Sequence, residues 1–272
     1  MATLERPGAK IWYEVQGDGP ALMFLHGRAG NAANWWRQAA HFTPDHRVVV
    51  VDQRAFGRSR CEPAAFQVDH MVDDIGAVLD ASGIERAVLV CQSMSGITGL
   101  RFALAESDRV AGLMLCSTMG GITTPDLRAR LRDYEAANTI ELPDRAFAPG
   151  YRAREPELIA LYEQLAAFNT GFDPSWRSRF SDPAVTLSPD SFDGYAVPTV
   201  FVVGEHDLFF PPSMAHEVAA YVPSATVADF ADAGHSPYWE APERFNALLA
   251  DWLDRNARWQ ASRRRNAKSS SS

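Results

Sequence analysis

The chain predicts an α/β fold: a mostly parallel central sheet flanked by helices, with a helical segment inserted late in the sheet. Three observations lead there. Short apolar or β-branched runs alternate with longer amphipathic stretches, the pattern of βα units. Several of those runs are apolar at nearly every position, as strands buried on both faces must be. From about Met119 to Val197 the strand pattern stops and helical spacing takes over.

The candidate strands, in order, are Ile11–Gln16, Ala21–Leu25, Arg47–Val51, Ala87–Cys91, Val110–Cys116, Thr199–Val203 and Thr226–Phe230. Between the first two, Gly17-Asp18-Gly19-Pro20 is a turn sequence and predicts an antiparallel hairpin, after which the parallel run begins. Gly27–Trp36 reads as a loop entering a helix, Val68–Ser82 carries helical spacing, and Met94–Ala105 starts a helix directly after a strand. In the inserted stretch, Leu127, Leu131 and Tyr134 share one helical stripe. Leu158, Leu161, Leu165 and Phe168 share another, with Pro156 suited to its first turn. Pro198 returns the chain to the sheet, and Pro242–Leu253 forms the closing helix. The expected organisation is a core of residues 1–118 and 198–258, a helical cap of 119–197 and a disordered tail of 259–272.

Composition narrows the function. With 272 residues, 46% of them hydrophobic, the chain can bury one large core. Its longest apolar run, Val110–Cys116, falls far short of the roughly 18 residues that suggest a membrane span. Met1–Arg6 lacks the order of a secretory signal, and Cys61, Cys91 and Cys116 cannot all pair internally, so a cytoplasmic protein is expected. A formal net charge of -8 argues against nucleic acid as a partner. The one dense basic stretch, Arg255–Lys268, reads as a solvated terminus. Isolated cysteines and the lack of any His-x-x-x-His pair predict no metal site.

In Val88-Leu89-Val90-Cys91-Gln92-Ser93-Met94-Ser95-Gly96 an apolar strand runs into a serine and then a helix. A sharp strand-to-helix turn pushes such a hydroxyl out above the edge of the sheet, and the helix N-terminus offers N–H groups to a developing oxyanion. The turn requires small residues two before and two after the nucleophile. Ser93 has Cys91 and Ser95 there, whereas a Cys91 nucleophile would put Leu89 at a small position and a Ser95 nucleophile would put Ile97 there.

This segment resembles the nucleophile elbow of the α/β-hydrolase family, Gly-x-Ser-x-Gly, with Cys91 and Ser95 in place of both glycines. The resemblance extends over nearly the whole chain outside the inserted segment and the tail. It implies a serine hydrolase with Ser93 as nucleophile, Asp207 in Gly204-Glu205-His206-Asp207 as the acid, and His235 in Ala233-Gly234-His235-Ser236-Pro237 as the base. Glu205 and His206 compete for the acid loop but fall short of the acid position. Leu25-His26-Gly27-Arg28 resembles the family's oxyanion loop, which makes the backbone N–H groups of Arg28 and Met94 the oxyanion donors and leaves His26 a structural part. Asp52-Gln53-Arg54-Ala55-Phe56-Gly57-Arg58-Ser59 resembles a further family loop, with Ala55 where glycine is usual. Family position also suggests Trp35, Trp36, Trp176 and Trp239 as lining for an apolar cleft.

The resemblance implies no cofactor and a small apolar or amphipathic carbonyl substrate: an ester, a lactone or a C–C bond beside a carbonyl. A homo-oligomer is compatible with the sequence. Two other readings share the fold: a small-molecule receptor that retains the triad, which would not turn over repeatedly, and a cofactor-free dioxygenase, which would consume oxygen.

Overall fold

The computed structural model describes residues 1–269 apart from 142 and 224, with side chains described as far as residue 256. Among the described residues nine strands form one sheet: β1 (Ala2–Arg6), β2 (Ala9–Gln16), β3 (Ala21–Leu25), β4 (Arg47–Asp52), β5 (Arg60–Cys61), β6 (Ala87–Gln92), β7 (Val110–Cys116), β8 (Thr199–Gly204) and β9 (Ala225–Phe230). Their order is β1-β2-β4-β3-β6-β7-β8-β9, with β5 beside β2. Every pairing from β4 across to β9 is parallel.

The expected hairpin between the second and third strands does not form. β2 pairs antiparallel with β1 and with β4, and β3 lies on the far side of β4. Buried at four of its five positions, β3 needs a strand on each side, and β4 and β6 supply them. The turn residues instead carry the chain past the start of β4. Gly17 has φ +72 and Gly19 φ +119, and a Cβ on Gly19 would stand 2.6 Å from the Asp45 carbonyl oxygen. The antiparallel opening pair is β1 with β2. The sequence reading missed β1 because it is an edge strand that buries none of its five residues fully.

Nine helices accompany the strands among the described residues: α1 (Trp36–Phe42), α2 (Val68–Ala81), α3 (Ser95–Ala105), α4 (Pro125–Ala137), α5 (Tyr151–Arg154), α6 (Pro156–Ala167), α7 (Pro212–Ala220), α8 (Pro237–Glu240) and α9 (Pro242–Ser269). Strand side chains alternate between two apolar layers. Met23, Leu89, Leu113 and Phe201 face one side, where Ile75 of α2, Leu100 of α3 and Val218 of α7 cover them. Phe24, Val90, Met114 and Val202 face the other, under Phe42 of α1 and Phe245 of α9.

Helix α9 continues to Ser269, through most of the stretch expected to be a disordered tail, and no glycine or proline follows Pro242 to break it. The end of that expectation, residues 270–272, lies outside the described residues. Between β7 and β8 the chain forms α4, α5, α6 and several 3-10 turns. The stripe expected on α6 is displaced: Ile159 and Tyr162 are its buried residues, while Leu161 and Phe168 are exposed. The aromatic rings of Phe147 and Trp239, which stand edge-on to Tyr162, set that face.

Candidate active site

Ser93 stands between the end of β6 and the start of α3 with φ +52, in the left-handed region that costs a non-glycine residue about 1–3 kcal/mol. Backbone bonds on both sides hold it there: Ser93 N–H donates to Cys116 O at 2.9 Å, and Gly96 N–H donates to Ser93 O at 2.9 Å. The two residues replacing glycine fit for different reasons. Cys91 points its sulfur at the face of α3 where Gly99 has no side chain. Ser95 turns inward, its hydroxyl 2.7 Å from Leu25 O and 3.0 Å from Gln92 O, and so ties the elbow to the end of β3. Neither competes as nucleophile: both are fully buried, and burial pushes the Cys91 thiol pKa up.

His235 Nε2 lies 2.8 Å from Ser93 Oγ, and His235 Nδ1 lies 2.8 Å from Asp207 Oδ2. The other oxygen of Asp207 accepts the N–H groups of Phe209 at 2.7 Å and Phe210 at 3.0 Å. With a buried carboxylate as its partner, Nδ1 carries the imidazole proton and Nε2 is left to accept from the serine hydroxyl. Asp207 follows β8 and His235 follows β9, so both reach the same C-terminal edge of the sheet as the elbow. Glu205 and His206, the competitors for the acid position, are exposed.

Arg28 and Met94 line the cavity above Ser93, and among the described residues neither backbone N–H has a protein acceptor. His26 beside them is buried and neutral. Its Nε2 accepts from Gln53 N–H at 3.0 Å, its Nδ1–H donates to Gly27 O at 2.7 Å, and burial lowers its pKa to about 4. With both ring nitrogens engaged by the backbone, it braces the loop. Asp52 braces the same loop from below, accepting Ala32 N–H at 2.7 Å and Arg58 N–H at 2.8 Å. Ala55, where the family has glycine, adopts φ +68. Arg54 is buried and grips Asp74 through Nε at 2.5 Å and Nη2 at 2.9 Å.

Sequence reasoning missed Glu240. Its Oε1 accepts Gly234 N–H at 2.8 Å and Ser236 N–H at 3.3 Å, the two residues that flank His235, while its Oε2 accepts Ala148 N–H from the inserted segment at 2.7 Å. Burial outweighs those three bonds and raises its pKa to about 7. The signal lay in a carboxylate five residues after the histidine within an otherwise apolar stretch. The segment is tied to the other loops as well: Tyr134 Oη donates to Asp207 O at 2.8 Å, and Asn169 Nδ2 donates to Ala29 O at 3.1 Å.

A cavity of about 240 Å³ opens onto Ser93 and His235, walled by Ile97 from the core and by Met119, Ile122, Leu131 and Phe180 from the inserted segment. None of the four tryptophans expected there lines it. Trp35 is fully buried against Phe24 and Tyr238, and Trp239 is buried against Tyr162. Trp36 is exposed beside Arg37, and Trp176 packs on Phe66 and Phe172. Three of the four indoles went to the core and its satellite cluster, and smaller aliphatic and phenyl side chains line much of the cavity. Among the described residues no group of three or more His, Cys, Asp or Glu could hold a metal ion, and no helix is long and apolar enough to cross a membrane.

A family model described as the alpha/beta hydrolase fold matches residues 20–182. The chain belongs to the α/β-hydrolase family. This α/β hydrolase is 28% identical over 275 residues to the 2-hydroxy-6-oxononadienedioate/2-hydroxy-6-oxononatrienedioate hydrolase of Paraburkholderia phymatum, covering 90% of this chain and 91% of that protein. Among solved structures it resembles Est816, described as an N-acyl homoserine lactone degrading enzyme, with 29% identity and a TM-score of 0.77 over 92% of this chain and 99% of that one. A thermophilic esterase from Thermogutta terrifontis is similar at 26% identity and a TM-score of 0.73, covering 93% of this chain and 97% of the other.

Proposed function

We propose that this α/β hydrolase is a serine hydrolase that opens a carboxylic ester or lactone through an acyl-enzyme. The observation that carries the reading is the continuous chain from Ser93 Oγ to His235 to Asp207, with both links at 2.8 Å. Serine is a weak nucleophile at neutral pH. His235 Nε2 takes its proton as Oγ bonds to the carbonyl carbon, and Asp207 holds the tautomer and stabilises the imidazolium. The negative charge that forms on the carbonyl oxygen meets the N–H groups of Arg28 and Met94, donors of a kind whose loss costs about a hundredfold to a thousandfold. His235 then returns the proton to the departing alkoxide. Water, deprotonated by the same nitrogen, attacks the acyl-enzyme, releases the acid and restores Ser93. The segment between β7 and β8 acts as a cap that closes the cavity over the ester. The esterase and the lactone-degrading enzyme among its structural relatives favour the same bond types.

The test is labelling with a fluorophosphonate, mapping of the modified residue, and steady-state turnover of a panel of p-nitrophenyl esters, lactones and a vinylogous 1,5-diketone. Label on Ser93, with repeated turnover that falls by up to about a millionfold in Ser93→Ala, is the expected result. Label on Ser95 or Cys91 with Ser93 untouched overturns the assignment. A single acylation without turnover points to a receptor, and hydrolysis of the diketone alone moves the reaction to a C–C bond.

A further inference from the structure

Three arginines line the cavity: Arg28 from the loop after β3, Arg128 from α4 and Arg177 from the inserted segment. Arg177 is neutralised by Glu135, 2.5 Å away and also in the wall. Arg28 and Arg128 have no carboxylate partner among the described residues, although both are partly buried. Elsewhere part-buried arginines are paired with a carboxylate, as Arg54 is with Asp74 and Arg109 with Asp80, or bonded to backbone carbonyls, as Arg47 is to Ser82 O and Arg145 to Leu208 O; among the described residues the side chains of Arg28 and Arg128 have neither. The whole chain carries a net charge of -8, so a positive cavity runs against its overall balance. Burial lowers the pKa of Arg28, and the charges of Arg177 and Arg145 lower it further against the opposing pull of Glu135. A guanidinium left unpaired in a partly dry wall is unfavourable until an anion fills it.

We propose that the substrate carries a free carboxylate in addition to its reacting carbonyl, and that Arg28 and Arg128 bind that carboxylate. This rests on the serine-hydrolase reading for the reacting end. Arg28 serves both ends: its backbone N–H faces the carbonyl and its side chain faces the cavity wall. The apolar wall at Ile122, Leu131 and Phe180 takes the hydrocarbon between the two polar groups. A planar guanidinium fork suits a carboxylate, which it meets through two parallel N–H···O bonds.

A matched pair of probes tests this: mono-p-nitrophenyl adipate and p-nitrophenyl hexanoate, equal in acyl length and different in one terminal carboxylate. The wild-type protein should favour the adipate ester in kcat/KM by about tenfold or more, chiefly through KM. Arg128→Gln and Arg28→Gln should each lower that ratio by about tenfold, and Arg128→Lys should restore part of it. Because both esters are read on the same variant, partial misfolding cancels from the ratio. Arg101→Gln, at a residue that does not line the cavity, should leave the ratio unchanged. Preference for hexanoate, or a ratio that Arg128→Gln does not move, overturns the proposal. Calorimetric binding of adipate monoamide to Ser93→Ala separates the two readings, since it needs no turnover. Binding weakened by Arg128→Gln supports the carboxylate site even where no ester is hydrolysed, and no binding, or binding indifferent to Arg128→Gln, overturns it.

Discussion

The sulfur of Cys91 fills the space that a Cβ on Gly99 would need, so the close approach of β6 and α3 rests on a cysteine in the strand and a glycine in the helix. Alanine would ordinarily favour a helix interior over glycine by about 1 kcal/mol. Here Gly99→Ala would drive a methyl group into a fully buried thiol. The expected net effect in urea unfolding is a loss of about 1–3 kcal/mol. Cys91→Gly in the same chain should recover much of it, and additive single and double variants would show that the two residues do not share that space.

On the proposed mechanism Asp207 contributes through the tautomer it imposes on His235. Asn at that position can present a side-chain N–H to Nδ1, which then becomes the acceptor and leaves Nε2 protonated toward Ser93. On the proposed mechanism Asp207→Asn lowers kcat by a factor on the order of 10⁴ with little change in Tm. A loss below tenfold would remove Asp207 from the mechanism.

Two buried groups give opposing pH slopes. His26 has a pKa near 4 in the fold against 6.5 unfolded, so its contribution is complete above pH 6.5 and is lost as pH falls toward 4. Glu240 is raised from 4.5 to about 7, so its contribution is present below pH 4.5 and is lost as pH rises through 7. Across the shared window the wild-type slopes partly cancel. Glu240→Gln should leave a Tm that rises with pH between 4.5 and 6.5, and His26→Asn one that falls. Identical slopes in both variants and the wild type would refute this account.

Arg54 and Asp74 form a buried pair to which Arg6 adds a third partner, its Nε 3.0 Å from Asp74. Asp74→Asn strands a buried guanidinium and should cost about 3–5 kcal/mol, whereas replacing both Arg54 and Asp74 with apolar residues of similar volume should cost less. Chemical denaturation of the single and double variants checks the order.

Residues whose placement is set by the end of an apolar run were legible in the sequence. Ser93, Asp207 and His235 each follow a strand that its own residues announce, and the structure brings the three within hydrogen-bond reach. What depends on distant partners was not legible. The pairing of β2 with β4 follows from the two-sided burial of β3, which turn chemistry does not report. The tryptophans were drawn to the cavity by family position and were claimed instead by neighbours such as Phe24 and Tyr162. Glu240 has meaning only once Ala148 is folded back onto it, 92 residues away in the chain.

The segment between β7 and β8 leaves and re-enters the sheet at adjacent strands, with Leu113 in register with Thr199 and Cys116 with Val202. It therefore leaves from the C-terminal end of β7 and rejoins at the start of β8, its parallel neighbour, and the pairing of the two strands continues unbroken. A segment attached in this way can be exchanged for another without cutting a strand. Its replacement would still have to recreate the anchor on Asp207 O and the donor to Glu240, so what is interchangeable is the roof of the cavity and not its fastenings.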